Sequence, residues 1–358
     1  MVLPSARAGG AERVFVNLLQ RLSRDIFELH LILIESSGAY LDMLPPDVQI
    51  HVLGYNRVGR ALVKLAVVLR RLKPHVVMSS IGHLNLALLS IRPFLHKKTK
   101  VIVRESNMPS MSFATGAKFA FFRLLYPLLY SRADRIICPG IAIKNELENI
   151  FRISKEKMQT IPNPVLLENV RSQTAHHLNP FNQDGIHLVA AGSLTRQKGF
   201  DLLIIAMEKL AEIRPGLHLT IIGEGPERDE LRHRICASKL EDSITLAGFQ
   251  ENPYAFFYHA DLFVLSSRWE GLPNVVLESL ACGTPVVAFD CPGSVREIFD
   301  DRSQGILVPA EDVEALAGAI DQFLAKRNGS HENTLLPERF DVKSVLAKYQ
   351  DILIECCR

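Results

Sequence analysis

Short apolar runs alternate along this chain with longer segments in which apolar residues recur every three or four positions. The short runs predict buried strands, and the longer periodic segments predict amphipathic helices. Their regular alternation is typical of parallel sheets whose strands are joined by crossover helices. The elements predicted in the first half of the chain are 29–34, 57–72, 75–78, 84–89, 101–103, 118–130 and 135–138.

The alternation is interrupted once and begins again near residue 185. The stretch Ile161-Pro-Asn-Pro-Val165 carries two prolines, which disfavour both helix and central strand, and a polar segment continues to Asp184. We interpret this region as a linker between two doubly wound, Rossmann-like α/β domains. The second domain has predicted strands at 186–191, 217–222, 244–246, 262–265 and 286–288, with helices that begin at Asp201 and Glu227.

The length of 358 residues and the hydrophobic fraction of 47% fit two domains with substantial cores. No apolar run approaches the roughly 20 residues of a membrane-spanning helix, and the start of the sequence does not resemble a secretion signal. The six cysteines include no C-x-x-C pair. These features predict a cytosolic protein with reduced thiols, without disulfides or a zinc site.

Charge is distributed unevenly between the two halves of the chain. Residues 1–180 carry 24 lysines and arginines against 12 acidic residues, a net +12, whereas the remainder carries 17 against 27, a net −10. A basic half suits phosphate-bearing ligands, nucleic acid or an anionic membrane, and a solvated basic face is the simpler alternative. No recognised nucleic-acid-binding module occurs, and the acidic half would repel a nucleic-acid backbone, so we predict no nucleic-acid partner.

Two segments of the basic half combine apolar and basic residues in a way that is typical of helices at a membrane surface. Segment 57–73 predicts a helix with one apolar and one basic face, and segment 118–135 places aromatic residues among leucines and arginines. Such helices predict reversible docking on an anionic membrane, at about 1 kcal/mol per cation near the surface. The alternative is that they simply cover the sheet. The residues concerned are Val58, Leu62, Leu65, Leu69 and Leu72 opposite Arg57, Arg60, Lys64 and Arg71, and then Phe119, Phe121, Phe122, Tyr126 and Tyr130.

Ligands of open parallel sheets bind in the loops that follow the strands, and the loop after 186–191 is unusual. It reads Gly192-Ser-Leu-Thr-Arg-Gln-Lys-Gly199, in which small residues allow the backbone to approach a ligand closely. Arg196 offers a planar fork of donors and Lys198 a compact positive charge, a combination that suits a diphosphate. We therefore predict a diphosphate site at this loop, with a solvated basic turn as the alternative.

The loop after 262–265 carries two carboxylates around a predicted helix start. Pro273 or Asn274 begins this helix, and its amides and dipole favour a phosphate oxygen at that end. Asn274 and Glu278 are four residues apart and therefore share one helix face. We predict that Glu278 accepts hydrogen bonds from vicinal hydroxyls such as those of a ribose, and that Glu270 lies nearer a reacting sugar. The alternative is that both acids are surface residues.

Two other loops carry weaker signals. Gly223-Glu-Gly225 follows strand 217–222 and has too few glycines for a dinucleotide fingerprint, so a turn beside a nucleobase and an ordinary strand-to-helix turn both remain open. Phe249 follows strand 244–246, where it either flanks a base or packs into the core.

Taken in order along the chain, these motifs resemble those of the family 4 retaining nucleotide-sugar glycosyltransferases. The resemblance implies the GT-B fold, in which two Rossmann-like domains face each other across a cleft, with the donor in the second domain and the acceptor in the first. It implies domains at 1–165 and 166–340, and a carboxy-terminal segment 341–358 that packs back on the first. The residues that carry it are Gly192-Ser193, Arg196, Lys198, Gly223-x-Gly225 and Glu270-Gly271-Leu272-Pro273-x4-Glu278, with Gly9-Gly10-Ala11-Glu12, Asn163-Pro164 and 340–353.

The resemblance also assigns roles to individual residues. Arg196 and Lys198 would hold the donor diphosphate, Glu278 the ribose, and Glu270 the transferred sugar, so that Glu270, Arg196 and Lys198 form the catalytic set. Gly9 and Gly10 would let backbone amides approach the phosphate or the acceptor, with Glu12 beside them. The full donor set is Gly192, Ser193, Gly223, Gly225, Phe249, Gly271, Leu272, Asn274 and Glu278.

The acceptor side departs from the family pattern at one place. Many members carry a histidine at the end of the strand 101–103, whereas this chain reads Arg104-Glu105-Ser106-Asn107. Similar runs occur in members that extend lipid-linked glycan precursors, so we predict a lipid-linked or surface-polysaccharide acceptor that Arg104, Glu105 and Asn107 approach. His83 follows another strand and either lies near the acceptor or packs in the interior.

The predicted reaction is transfer of a hexose or acetamidohexose from a nucleotide diphosphate sugar, with UDP as the nucleotide. The chain has no D-x-D motif, so we predict no metal and no cofactor. Two routes to retention remain open, front-face attack and a covalent intermediate on Glu270. Two other functions also remain open, a sugar-nucleotide epimerase and a catalytically silent scaffold. Only Met1 to Ser5, with Ala6 and Arg7, precede the Ala8-Gly-Gly-Ala-Glu12 turn, which leaves little room for a full first strand. We therefore expect a truncated start, which keeps the scaffold open. The predicted location is cytoplasmic, peripheral on the inner face of the membrane.

Overall fold

The computed structural model describes residues 1–7, 9–112, 117–167, 170, 178–181, 184–300, 303–326 and 336–357. The chain divides into two compact units, of which unit 1 is Met1–Pro164 with Val342–Arg358 and unit 2 is Val165–Asp341. The predicted linker 161–184 lies partly outside the described residues. Within it, Val165 and Val170 are buried in the core of unit 2.

Parallel strands and connecting helices alternate through both units. The strands are β1 Val2–Leu3, β2 His30–Leu33, β3 Gln49–Val52, β4 Val76–Ser80, β5 Lys100–Arg104, β6 Arg135–Cys138, β7 Met158–Thr160, β8 Ile186–Ala191, β9 Leu217–Ile222, β10 Ile244–Gly248, β11 Leu262–Leu265, β12 Val286–Asp290 and β13 Gly305–Pro309. The helices are α1 Gly10–Arg21, α2 Val58–Leu72, α3 Gly82–Ser90, α4 Pro109–Ser112, α5 Ala117–Tyr130, α6 Ile141–Asn149, α7 Phe200–Ile213, α8 Arg228–Ala237, α9 Tyr254–His259, α10 Asn274–Ala281, α11 Val313–Lys326 and α12 Val342–Cys357.

Unit 1 is a seven-stranded parallel sheet in the order β3-β2-β1-β4-β5-β6-β7. One face of this sheet is covered by α1 and α12, whose Phe15 and Tyr349 are fully buried. The other face is covered by α2, α3, α5 and α6. Both faces of the inner strands are therefore shielded from water, which explains why those strands read as continuous apolar runs, whereas the edge strand β3 is largely exposed.

Unit 2 is a six-stranded parallel sheet in the order β10-β9-β8-β11-β12-β13. The direction of strand addition reverses between β8 and β11, and ligands of doubly wound sheets bind at this switch point, beyond the carboxyl ends of the strands. The loops that follow β8 and β11 therefore begin side by side. These are the two loops for which the sequence predicts the diphosphate site and the carboxylate pair.

Candidate functional site

The loop that follows β8 folds into a tight turn at the carboxyl edge of the unit 2 sheet. Residues Arg196–Lys198 form one turn of 3-10 helix, and Gly199 then precedes α7. Gly199 has a left-handed backbone (φ +61°), and a Cβ at this position would lie 2.1 Å from the carbonyl oxygen of Ser266. A glycine is therefore required for this turn to lie against the loop that follows β11.

Hydrogen bonds join the basic turn to the loop that follows β11. The backbone N–H of Arg268 donates to the carbonyl of Gln197 (2.7 Å), and the Gln197 side chain donates to the carbonyl of Trp269 (2.9 Å). The hydroxyl of Ser266 donates to the carbonyl of Lys198 (3.0 Å). These bonds fix the two loops relative to each other within unit 2.

Lys198 and Glu270 meet between these two loops. Nζ of Lys198 lies 2.6 Å from Oε1 of Glu270, and the hydroxyl of Ser267 donates to the same oxygen at 2.6 Å. Glu270 is 4% exposed, so the alternative that it is a surface residue is wrong. A carboxylate in such surroundings is costly unless charged or hydroxyl partners satisfy it, and Lys198 and Ser267 do so.

A third loop, which follows β12, contacts the backbone of Glu270 on the side opposite to the β8 loop. The N–H of Glu270 donates to the carbonyl of Pro292 (2.9 Å), and the N–H of Ser294 donates to the carbonyl of Gly271 (2.9 Å). Gly293 has φ +130°, and a Cβ there would lie 1.9 Å from the carbonyl oxygen of Glu270. The main chain at Glu270 is thus clamped by loops from both neighbouring strands.

Arg196 supplies a second cation beside this pair. It is exposed on the 3-10 turn, as is Ser193 earlier in the same loop. No ion pair within the described part of the chain engages the Arg196 guanidinium, whereas the Lys198 ammonium contacts Glu270. The turn therefore presents one guanidinium to solvent and holds one ammonium against an acid.

Glu278 lies one helical turn beyond the start of α10. The hydroxyl of Tyr254 donates to Oε1 of Glu278 at 3.4 Å, and Glu278 is half-buried. Val276 and Leu280 are fully buried on another side of α10, whereas Asn274 is half-buried like Glu278, in agreement with the predicted shared face of these two residues. The start of α10 carries a partial positive charge beside this face.

The two weaker predictions have different outcomes. Gly223 and Gly225 lie against the basic loop, since Cβ atoms on them would be 1.9 Å from the carbonyl oxygen of Gly192 and 2.4 Å from that of Leu194. The turn between β9 and α8 thus packs directly against the backbone of the loop that follows β8. Phe249 is 45% exposed beyond β10, so the alternative that it packs into the core is wrong.

Some residues that build this site were not predicted from the sequence. Ser267 and Gly293 touch Glu270, and Tyr254 touches Glu278, from positions with no distinctive local pattern. Arg268 lies two residues before Glu270 in a loop that the sequence already marks as unusual, and this position is the signal by which it could have been found.

Both halves of the chain match known families. Residues 8–169 match the model described as Glycosyltransferase Family 4, and residues 172–335 match the model described as Glycosyl transferases group 1. The chain is 30% identical over 332 residues to a Campylobacter jejuni protein, and the match covers 89% of this chain and 88% of that one. That protein is named N-acetylgalactosamine-N,N'-diacetylbacillosaminyl-diphospho-undecaprenol 4-alpha-N-acetylgalactosaminyltransferase. This chain belongs to glycosyltransferase family 4.

Further comparisons agree with this family and its fold. The glycosyltransferase is 29% identical over 324 residues to the lipopolysaccharide core biosynthesis glycosyltransferase LpsE of Rhizobium meliloti, covering 88% of this chain and 86% of that one. The structure of Anabaena HepE in complex with UDP and glucose matches with a TM-score of 0.81 at 16% identity, over 99% of this chain and 98% of that one. The predicted fold of two doubly wound Rossmann-like domains, the GT-B type, is confirmed.

In unit 1 of the glycosyltransferase, the glycine pair forms the start of α1. Gly9 caps the helix and Gly10 is its first residue. Glu12 folds back toward this start, since a Cβ on Gly9 would lie 2.2 Å from its Oε2. Burial raises the pKa of the Glu12 carboxyl. The glycine pair and Glu12 therefore form one local group.

Arg104 lies inside unit 1. It is 1% exposed, and its guanidinium donates to the hydroxyl of Tyr349 (3.2 Å), to that of Ser80 (3.1 Å) and to Oδ1 of Asn163. We therefore assign Arg104 a supporting role in place of the predicted approach to an acceptor. Arg104 thus connects the end of β5 to α12 and to Asn163, which lies near the end of the first chain segment of unit 1.

Glu105 is also internal. It is 2% exposed, accepts a hydrogen bond from the Tyr130 hydroxyl, and has its pKa raised to about 7, chiefly by burial. A direct contact with an acceptor is therefore replaced by a supporting role here as well. Asn107 is half-buried and His83 is exposed on the first turn of α3, so the alternative that His83 packs in the interior is wrong.

The two helices predicted at a membrane surface both pack on the sheet of unit 1. The apolar stripe of α2, including Leu65 and Leu69, is buried there, so for this stripe the sheet-covering alternative is the right one. In α5, Tyr126 and Tyr130 are fully buried, contrary to a role at an interface. A different face of α5 is exposed, and it carries Phe121 (60%), Leu124 (76%) and Leu128 (59%). In the part of the chain that the structure describes, every helix is too short or too polar to span a bilayer.

Proposed function

We propose that this glycosyltransferase moves a hexose or acetamidohexose from UDP to a lipid-linked glycan, with retention of anomeric configuration. The observation that carries the proposal is the contact between Lys198 and Glu270 at the switch point of unit 2, with Arg196 on the same turn. It brings cations and an acid together at the edge where ligands of such sheets bind.

The donor is proposed to lie along the carboxyl edge of unit 2. Arg196 and Lys198 bind its diphosphate, because a guanidinium fork and an ammonium together match two linked phosphates. The partial positive charge at the start of α10 favours a phosphate oxygen near Asn274. Glu278 accepts hydrogen bonds from the ribose, and the exposed ring of Phe249 flanks the base. Further proposed donor contacts are Gly192, Ser193, Gly223, Gly225, Gly271 and Leu272.

The catalytic set is proposed to be Glu270, Arg196 and Lys198. As the sugar–phosphate bond breaks, negative charge develops on UDP, and the two cations stabilise it more than they stabilise the bound donor. Glu270, held by Lys198 and Ser267, contacts the transferred sugar, which gains positive charge in the transition state. Because side-chain cations supply the positive charge, we propose that transfer needs no metal and persists in EDTA.

The acceptor is proposed to bind unit 1 beyond the carboxyl ends of its strands, near Gly9, Gly10, Glu12 and Asn107. The names of two relatives support a lipid-linked acceptor: one acts on a diphospho-undecaprenol-linked saccharide, and the other belongs to lipopolysaccharide core biosynthesis. The acceptor glycan itself would be a product of an earlier transfer onto a lipid carrier.

The test is transfer from UDP-, GDP- and ADP-sugars to an undecaprenyl-diphosphate-linked saccharide. Two quantities are measured: the amount of nucleotide released and the anomeric configuration of the product. We expect UDP release with retention, and a fall of about 10²-fold or more in Glu270→Gln. Glu314→Gln, which alters an exposed acid paired with Lys209, is the matched control and should transfer at the wild-type rate. Full activity in both Glu270→Gln and Arg196→Ala would overturn the proposed mechanism.

We also propose that unit 1 docks on an anionic membrane surface through one of its helix layers. Helix α3 packs against both α2 and α5, so the three belong to one layer. The outer side of α2 presents four exposed cations, and α5 presents Phe121, Leu124 and Leu128. Basic residues beside exposed apolar side chains suit the interface of an anionic bilayer. The four cations of α2 are Arg60, Lys64, Arg70 and Arg71.

Flotation with phosphatidylcholine vesicles, with and without phosphatidylglycerol, tests the docking surface. We expect flotation with the anionic vesicles only, weakened by salt, and lost in a Phe121→Ser, Leu124→Ser double variant. Ile26→Ser is the control, because Ile26 is almost as exposed (56%) as Phe121 but follows α1, which covers the opposite face of the unit 1 sheet. Flotation that is insensitive to both salt and the double variant would contradict this surface.

A further inference from the structure

Arg268 is the most heavily engaged side chain around the proposed donor site, and none of its contacts is to Glu270. Its guanidinium forms a two-pronged pair with Asp201, with Nη1 2.8 Å from Oδ1 and Nη2 2.7 Å from Oδ2. Nη1 also donates to the carbonyl of Arg196 at 2.9 Å, and Nε donates to Glu311 at 3.1 Å. The side chain is 12% exposed.

These contacts converge on the turn that carries the two cations. Asp201 lies in the first turn of α7, directly after the 3-10 turn, and the Arg196 carbonyl lies within that turn. The backbone N–H of Arg268 reaches the same turn through Gln197 (2.7 Å). Arg268 therefore contacts the basic turn at two places, the carbonyls of Arg196 and Gln197, and contacts the first turn of α7 at a third, Asp201.

The charge of Arg268 is already matched within unit 2. Two carboxylates, Asp201 and Glu311, contact its guanidinium, and interaction with Asp201 raises the pKa of Arg268 above its usual range. A guanidinium committed in this way is a poor ligand for a phosphate. Its contribution is the geometry that it imposes on the turn, and it also neutralises Asp201, which would otherwise weaken the positive potential beside Lys198.

We propose that Arg268 is a positioning residue of the transfer reaction, which holds Arg196 and Lys198 at the separation from Glu270 that the diphosphate of the donor requires. This inference rests on the proposed function, because it assigns the held cations to a diphosphate. The planar fork of arginine bonds Asp201 with two parallel hydrogen bonds, which the single ammonium of a lysine cannot reproduce. The residue type at 268 is therefore part of the site, although it does not touch the donor.

Binding of UDP to the whole protein, measured by calorimetry, tests this inference. We expect Arg268→Met to weaken UDP binding about tenfold and to lower the transfer rate further, because a displacement near 1 Å at a reacting centre costs about 10²-fold. Arg268→Lys and Asp201→Asn should have UDP affinities and transfer rates between those of Arg268→Met and the wild type. The matched control is Arg214→Met, which breaks a similar pair with Asp321 (2.5 Å) elsewhere in unit 2 and should leave UDP binding unchanged.

A double-variant cycle separates positioning from general destabilisation. If Arg268 acts through the basic turn, adding Arg268→Met to Lys198→Met should cost much less UDP affinity than Arg268→Met costs alone. Independent, additive losses would overturn the inference, as would wild-type binding in Arg268→Met. Failure of the wild-type protein to bind UDP, GDP or ADP would instead contradict the proposed function itself, so the two failures are distinguishable.

Discussion

Nζ of Lys198 and Oε1 of Glu270 lie 2.6 Å apart, although 72 positions separate the two residues in the sequence. The pair forms because β8 and β11, neighbours at the switch point, deliver their loops to the same place. The acid therefore contacts the same ammonium that we assign to the diphosphate. Binding and transfer should respond differently to removal of each partner.

The first prediction separates these two roles. In Glu270→Gln, UDP should bind at least as tightly as in the wild type, because Lys198 is released from its carboxylate, while transfer falls by about 10²-fold or more. In Lys198→Met, UDP affinity should fall about tenfold, since hydrogen bonds to charged groups contribute about 1.5–3 kcal/mol. Calorimetry and the transfer assay measure the two effects. Equal losses of binding in both variants would contradict this division of roles.

The second prediction concerns the clamp behind Glu270. Gly293→Ala should reduce transfer strongly, because its Cβ would lie 1.9 Å from the Glu270 carbonyl oxygen and because φ +130° is unfavourable for alanine. The glutamate must move, while Arg196 and Lys198 are untouched, so UDP binding should change less than transfer. Both are measured as for the first prediction.

Gly318→Ala provides the control for this glycine. Gly318 lies in α11 with no atom near the position of an added Cβ. Alanine is favoured over glycine in a helix, so this variant should be more stable by about 0.4–1 kcal/mol and transfer at the wild-type rate. If Gly293→Ala were also fully active, the clamp would have no influence on Glu270.

The sequence predicted the second unit more completely than the first. Strands β8, β9 and β11 were predicted with the bounds that the structure has, because both faces of a parallel sheet are covered and the runs are uniformly apolar. Strand β3 was missed, since it lies at an edge where Ile50 and Val52 are exposed among polar residues. Strands β1 and β7 have only two and three residues, too few for a recognisable pattern.

Site residues were predictable where a residue type and a strand end coincide. Arg196, Lys198, Glu270 and Glu278 all follow strands that the sequence identifies, so topology alone brings them to one edge. The partners that hold them are contributed by loops distant in sequence, as Gly293 is for Glu270, and no local pattern links such residues. A motif also does not show whether its residues are buried. Arg104 was predicted to approach an acceptor, but its side chain is internal.

The third prediction concerns Arg104 and the carboxy-terminal helix. Tyr349→Phe should lower the free energy of unfolding of unit 1 by about 1–3 kcal/mol, because it removes a hydrogen bond from a buried guanidinium. Denaturant unfolding of the whole protein measures this. Tyr55→Phe is the control, since this half-buried tyrosine lies in the same unit and its loss of hydroxyl should change stability by less than about 0.5 kcal/mol. Equal changes in the free energy of unfolding in the two variants would show that the hydrogen bond between Arg104 and Tyr349 does not stabilise the protein.

The fourth prediction is a pH dependence of stability that originates in Glu105. Burial raises the pKa of this carboxyl from 4.5 to about 7 in the folded protein. Between these two values the folded state binds a proton that the unfolded state has lost, so stability falls as the pH rises from about 4.5 to 7 and then levels off. The size of the effect is about 3 kcal/mol at 1.36 kcal/mol for each pKa unit. The groups that interact with Glu105 include Tyr130, Glu146, Asn85, Arg104, Tyr126 and Cys138.

Glu105→Gln isolates this contribution, because the amide keeps an acceptor for the Tyr130 hydroxyl but does not titrate. Unfolding of unit 1 by urea at pH 5 and pH 8 should show a smaller loss of stability in Glu105→Gln than in the wild type. Glu156→Gln, an exposed acid of the same unit, should retain the wild-type difference. A wild-type protein that gains stability from pH 5 to pH 8, by an amount that Glu105→Gln does not alter, would show that the buried carboxyl is ionised throughout and that its hydrogen-bond partners, Tyr130 foremost, outweigh its burial.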